Sequence, residues 1–206
     1  DFYISRLREA DRLQREFEQA VSDYIDNEDI MSGVIDHARS QYSGLVLKVQ
    51  ILFTKHLEKE GWPLNSILNN GDLFDQMIAP KLMVSGHRVA YLLIDALRYE
   101  LGFELEKQLS EDGNVELKAA CAVFPTITPV GMASLLPGAG KHMHLKKGDK
   151  GIVPMFDECE RPNVKKRMEV FKKRFGERFE EMRLIDFIRS QNPISENVEL
   201  LVLRGV

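Results

Sequence analysis

This chain has little cysteine, no long apolar run, no internal repeat and no low-complexity segment. Its 206 residues include two cysteines, Cys121 and Cys159. They show neither a pairing pattern nor metal-ligand spacing, so a disulfide scaffold and a cysteine-based zinc site are excluded and reduced thiols are expected. No uninterrupted apolar stretch reaches the roughly 20 residues that cross a bilayer. The first residues, Asp1-Phe-Tyr-Ile-Ser-Arg6, lack a basic region followed by an apolar core. A cytoplasmic location with no membrane partner is the expectation. No Ser-His-Asp or Cys-His arrangement is legible. Pro137-Gly-Ala-Gly-Lys-His142 fails as a phosphate loop, because Leu135 stands where its first glycine belongs and His142 replaces Ser or Thr. What is present, 44% hydrophobic and 29% charged residues, is ordinary for a globular protein.

The net charge of -4 hides an asymmetry. Residues 1–84 carry 9 basic and 14 acidic side chains, whereas residues 141–183 carry 13 basic and 8 acidic. A basic segment can contact nucleic acid or another polyanion. Lys165-Lys-Arg167 and Lys172-Lys-Arg174, seven apart and interleaved with Val170, Phe171 and Phe175, also read as the solvated face of a helix. That second reading is preferred, because no recognition motif accompanies the charge.

The N-terminal third is helical by period. Tyr3, Leu7, Ala10, Leu13 or Gln14, Phe17, Val21 and Tyr24 recur at three- and four-residue steps. Asp26-Asn-Glu-Asp29 offers a break and a cap for a second helix, which Gly61-Trp-Pro63 stops. Shorter helices are expected at Leu64 to Leu68 and at Asp72 to Met83. These helices either pack on one another or on the next domain, or form a coiled-coil arm for a partner; the first is preferred. From His87 the pattern changes. Arg88 to Ile94 reads as a buried strand, and Leu97, Leu101, Leu105 and Leu109 mark a helix with a buried leucine face. Glu111 to Asn114 form a turn, Val115 to Val123 a second strand, and the segment from Pro125 opens a helix ending at Leu136. Strand, helix, strand implies a right-handed crossover, with the two strands as parallel neighbours. Residues 137–163 look like loop, a long helix spans Asn163 to Ser190 with a break at Gly176, and Val198 to Leu203 forms a last strand. The expected fold class is α/β, a parallel sheet with flanking helices after a helical region, divided as 1–85 and 86–206. The chain starts mid-helix without methionine and stops inside a strand, so a piece of a larger protein is expected.

In such sheets functional groups sit at the carboxyl ends of strands, where Asp95 and Thr128 fall. A strand-end carboxylate suits a hard divalent ion. A threonine capping a helix suits a nucleophile, because free N–H groups and the positive helix end lie beside the alkoxide, and Pro129 fits the first helical position. Taken alone, Thr128 reads more simply as a structural cap, and Asp95 could equally cap the helix beginning near Leu97. His142-Met-His144 could bind a metal, but two histidines in a basic loop are more simply solvated. Arg98, Tyr99 and Glu100, just after Asp95, are further candidates.

Val89-Ala-Tyr-Leu-Leu-Ile-Asp-Ala-Leu-Arg-Tyr-Glu-Leu-Gly102 and Pro125-Thr-Ile-Thr-Pro-Val-Gly-Met-Ala-Ser-Leu-Leu-Pro137 closely resemble the two signature blocks of the PglZ family, a branch of the alkaline phosphatase superfamily. The resemblance covers residues 86–206. It implies a partial alkaline-phosphatase-like sheet and a divalent-metal-dependent phosphoesterase or nuclease of bacteriophage-exclusion defence. Implied partners are a methyltransferase and an ATPase, with a nucleic acid or other phosphoester as substrate. A non-catalytic scaffold in a defence complex is the alternative. In related nucleotide pyrophosphatases the second threonine of a similar block is the nucleophile. That role carries onto Thr128, with Thr126 as a supporting hydroxyl and Asp95 and Thr128 as contributors to a two-metal, expectedly zinc, site. Pro129-Val-Gly131 replaces that relative's aromatic, proline and asparagine, so its oxyanion contact has no counterpart here. The remaining ligands are expected beyond Val206, leaving this piece with little activity by itself.

Overall fold

A computed structural model describes residues 2–24, 28–64, 66–149, 151–191 and 193–205. In chain order, a π-helical turn at Tyr3–Leu7 leads into α1 (Arg8–Asp23) and α2 (Glu28–Glu60). The expected break and cap at Asp26 to Asp29 falls largely outside the described residues. Next come β1 (Leu68–Asn69), α3 (Asn70–Leu73), a π-helical turn at Phe74–Ile78, and α4 (Ala79–Leu82). Then follow β2 (Val89–Ile94), α5 (Tyr99–Leu109), β3 (Ala120–Cys121), α6 (Thr128–Ser134) and α7 (Ala139–His142). The last elements are β4 (Met143–Gly148), β5 (Gly151–Phe156), β6 (Cys159–Glu160), α8 (Val164–Phe175), β7 (Phe179–Arg183), α9 (Leu184–Arg189) and β8 (Leu200–Gly205). The chain divides into two compact units, one of residues 1–62 and 97–119 and one of residues 63–96 and 120–206.

The first unit is helical. Gly61 ends α2 as the sequence expects: at φ 78 it takes the left-handed exit, and its N–H reaches the Leu57 carbonyl at 2.9 Å. Trp62 packs edge-on against Phe53, with centroids 5.6 Å apart. Polar contacts join the helices: Glu18 accepts both Nε and Nη2 of Arg39, at 3.0 and 2.7 Å, and Asp11 accepts the hydroxyls of Tyr3 and Tyr42 at 2.6 and 2.8 Å. Helix α5 meets α1 through Glu100 and Phe103, paired with Arg15 and covered by Arg8. The expected leucine face is therefore corrected. Leu97, Leu105 and Leu109 are exposed, because polar and cation–π pairs settle the helix on the face bearing residues 100 and 103.

The second unit carries a parallel three-stranded sheet in the order β2-β8-β7, a parallel pair β1-β3 and an antiparallel sheet β4-β5-β6. Parallel strands with flanking helices bear out the α/β class, but the pairing differs from expectation. Strand β2 joins β8, Val89 opposite Leu200, and of the expected strand 115–123 only Ala120 and Cys121 are extended partners, bound to β1. Of the helix expected at Leu64 to Leu68, the described residues 64 and 66–68 are not helical and Leu68 begins β1, while Asn65 lies outside the described residues. Strands Met143–Gly148 and Gly151–Phe156, in a segment expected as loop, pair antiparallel with Gly148 opposite Gly151. The long helix stops at Phe175, as its break suggests: Gly176 takes φ 58, and strand β7 follows. The glycines of the rejected phosphate loop serve packing instead, since a Cβ on Gly140 would collide with the Asp72 carboxylate of α3.

One face of the parallel sheet holds Tyr91, Leu93, Leu200 and Val202 against Phe74, Met168 and Phe171. Phe171 stacks on Phe179 at 5.4 Å and meets Phe74 edge-on at 5.7 Å. On the other face Leu201, Leu203 and Val198 pack with Met182 and Leu184. Leu92 is exposed, so β2 is buried on one face only, not throughout as expected. Phe171→Ala should lower the unfolding free energy by about 3–5 kcal/mol, and Leu105→Ala by less than about 1. Equal losses in urea denaturation would show that the aromatic cluster is not the core.

Candidate active site at the carboxyl end of the parallel sheet

Strand β2 is anchored along its length before it delivers Asp95. The Val89 N–H reaches Glu199 O at 2.7 Å, and Arg88 holds the carbonyls of Val198 and Ser195 at 2.8 and 2.9 Å. Asp95 follows the last strand residue and is exposed. Its Oδ1 accepts the N–H of Ala96 at 2.9 Å, fixing the carboxylate and leaving Oδ2 open. Ala96 stands at φ 55, where Cβ crowds the following carbonyl, so the bend just after the acid is strained.

Thr128 is the first residue of α6 and Ile127 is its cap, at φ -102 and ψ 148. The expected Thr128 cap is thus displaced by one residue, and Pro129 follows within the first turn, where a missing N–H costs nothing. The Ile127 carbonyl accepts the N–H groups of Val130 and Gly131 at 3.0 and 2.9 Å, so the Thr128 hydroxyl is not used as a cap. Thr126 and Thr128 are both exposed. Val130, Ala133 and Ser134 bury the inner face of α6, and the Tyr91 hydroxyl of β2 donates to Leu135 O at 3.2 Å. Burial pushes that phenol well above its ordinary pKa. Asp95 and Thr128 therefore belong to one unit, on elements joined through Tyr91.

A residue read from sequence as solvated is part of this end of the sheet. Arg167 of α8 is only 7% exposed. Burial lowers its pKa, the negative charge of Asp95 acts against that shift, and Arg204 adds to it. Arg204 lies on β8 opposite Leu93, and its Nε donates to Glu181 at 2.7 Å. The signal was available, because Arg167 falls on the stripe of Val164, Met168, Phe171 and Phe175.

Other candidates settle elsewhere. Glu100 is buried in the helical unit against Arg15, and its Oε2 has no partner. His142 pairs with Asp157 at 3.1 Å, and His144 lies on β4 opposite Met155. Among the described residues no three His, Cys, Asp or Glu side chains gather where they could hold a metal ion. Asp95 has the hard, open oxygen such an ion needs, but the described residues do not complete a two-metal site.

Parallel strands with flanking helices, after a helical region, make this an α/β protein whose architecture is consistent with a partial alkaline-phosphatase-like fold. The model for the BREX system PglZ alkaline phosphatase-like domain matches residues 73–192, more than half of the chain, which therefore belongs to the PglZ family. It is 28% identical over 141 residues to the alkaline phosphatase-like protein PglZ of Bacillus cereus (strain H3081.97), covering 66% of this chain and 16% of that protein. It is 28% identical over 116 residues to the alkaline phosphatase-like protein BrxZ of Escherichia coli O9:H4 (strain HS), covering 52% and 13%. The chain thus spans about a sixth or less of the length of these relatives. No solved structure matches it. Among the described residues no helix is long and apolar enough to cross a membrane.

Ala96→Gly should raise stability by up to about 1 kcal/mol by removing the left-handed strain, and Ala96→Val should lower it by about 1–3 kcal/mol. Thermal unfolding of the two variants checks the order. A destabilised glycine variant would mean that the bend after Asp95 carries no strain.

Proposed function

We propose that this chain supplies the nucleophile and the first carboxylate of a phosphoesterase or nuclease site in bacteriophage-exclusion defence. The observation that carries the reading is an exposed Asp95 at the end of β2 together with an exposed Thr128 opening α6, both in one unit. In the proposed reaction Thr128 Oγ attacks phosphorus and its proton leaves to solvent. The bond to the leaving oxygen breaks, and water then cleaves the phosphothreonine. Thr126 supports that hydroxyl. Divalent ions, zinc by expectation, would take up charge on the phosphoryl oxygens, with Asp95 and Thr128 as this chain's contributions to holding them. Methyltransferase and ATPase subunits are the proposed partners, and a nucleic acid or another phosphoester is the proposed substrate.

A scaffold role is the second reading. It is favoured by the exposed apolar side chains of α2, among them Leu45, Leu47, Ile51 and Leu52, which suit a docking helix.

Hydrolysis of a chromogenic phosphodiester by a full-length protein carrying this segment separates the two. Asp95→Ala should reduce turnover to background, Thr128→Ala should cost about a thousandfold or more, and Thr126→Ala less than about tenfold. If Thr128→Ala keeps full turnover, threonine is not the nucleophile. If the unaltered protein shows no turnover but still assembles with its partners through α2, the scaffold reading holds.

A further inference from the structure

A buried guanidinium normally has its donors matched by a carboxylate, because an unpaired charge away from water is costly. Arg167 departs from that rule. Its hydrogen bond is from Nη1 to the Pro162 carbonyl at 3.0 Å, and no carboxylate lies within salt-bridge reach of it among the described residues. Its remaining nitrogens are not among the sealed, unsatisfied atoms of the chain, so they keep an opening to solvent. A second guanidinium belongs to the same face of the sheet. Arg204 follows Leu200 and Val202 in the alternation of β8, which puts it on the sheet face that α8 covers, and its positive charge reaches Arg167.

Two carboxylates balance these arginines in charge but not in hydrogen bonds. Glu181 takes Nε of Arg204, while Asp95 uses Oδ1 on the Ala96 N–H and forms no ion pair with Arg167. That leaves Nε and Nη2 of Arg167 and both terminal nitrogens of Arg204 as donors. Both residues lie toward the carboxyl ends of the parallel strands: Arg204 is next to last in β8, and Arg167 sits in the first turns of α8, whose Met168 and Phe171 pack on the same face. A tetrahedral oxyanion has acceptors in the number and geometry that two guanidinium forks require.

We propose that Arg167 and Arg204 form an oxyanion-binding pair beside Asp95 that takes the non-bridging oxygens of a phosphoryl group. The proposal rests on the phosphoester reading for the identity of the anion, but the pair binds it without any metal ion and without Thr128. The arginines hold and orient the group; Thr128 does the chemistry.

The test uses the chain as it stands, in chelator, with inorganic phosphate as probe and chloride at matched ionic strength as control. Calorimetry should show saturable phosphate binding that Arg167→Gln and Arg204→Gln each weaken about tenfold or more, while Thr128→Ala leaves it within about threefold. On the unaltered chain, phosphate should slow phenylglyoxal modification of Arg167 and Arg204, mapped by mass spectrometry, and leave Arg12 and Arg39 unprotected. This measurement still decides if Arg167→Gln fails to fold. Absence of phosphate binding, binding matched by chloride, unchanged affinity in both glutamine variants, or no protection of the two arginines would each overturn the pair. Phosphate binding that depends on the arginines, alongside full turnover by Thr128→Ala, would sink the nucleophile assignment and leave the pair standing.

Discussion

The pairing of β2 with β8 is the constraint on which the rest depends. Six consecutive residues of β2 are laid beside a strand more than a hundred residues further along, and Arg88 clamps the start of that ladder to the carbonyls of Ser195 and Val198. Loop-closure entropy makes such a contact slow to form and worth little until the intervening elements are in place. The aromatic cluster supplies the compensation. Phe171 of α8, Phe74 and Phe179 converge with Tyr91 and Leu200 on one face of the sheet, so the strand ladder and the core form together. The local apolar run puts Asp95 at the end of a strand, and this long-range contact fixes where that strand end lies in the fold.

The same geometry sets a tension at the carboxyl end of the sheet. The helix that fills the apolar face carries three consecutive basic residues after its first residue, Val164, and one of them, Arg167, is drawn into the stripe that buries Met168 and Phe171. A hydrophobic side chain there would pack without a desolvation penalty. Retaining a guanidinium costs stability and provides directional donors near an exposed carboxylate, the trade that buried polar groups make at sites of function.

Much of this was legible in the sequence where period and local chemistry agreed. Strand β2, the stop at Gly61, the helix opened by Thr128-Pro129 and the strand-end position of Asp95 follow from apolar runs and cap residues. The failures share a physical cause. Met143-His-Leu-Lys-Lys147 is a strand whose lysines hide its alternation, and Phe179-Glu-Glu-Met-Arg183 consists largely of good helix formers that the sheet holds extended. Leu101 and its neighbours suggested a buried face, whereas Glu100 and Phe103 decided how α5 sits. The partner of β2 was not legible at all, because parallel pairing is chosen by tertiary packing and leaves no local mark.

Trp62 is the sole tryptophan of the chain, and it belongs to the helical unit, edge-on to Phe53. Its emission therefore samples the end of α2, where the ring meets Phe53. Circular dichroism, by contrast, averages over every helix and strand. The chain thus has built-in optical reporters with different fields of view: one is centred on the end of α2, and the other covers the whole backbone.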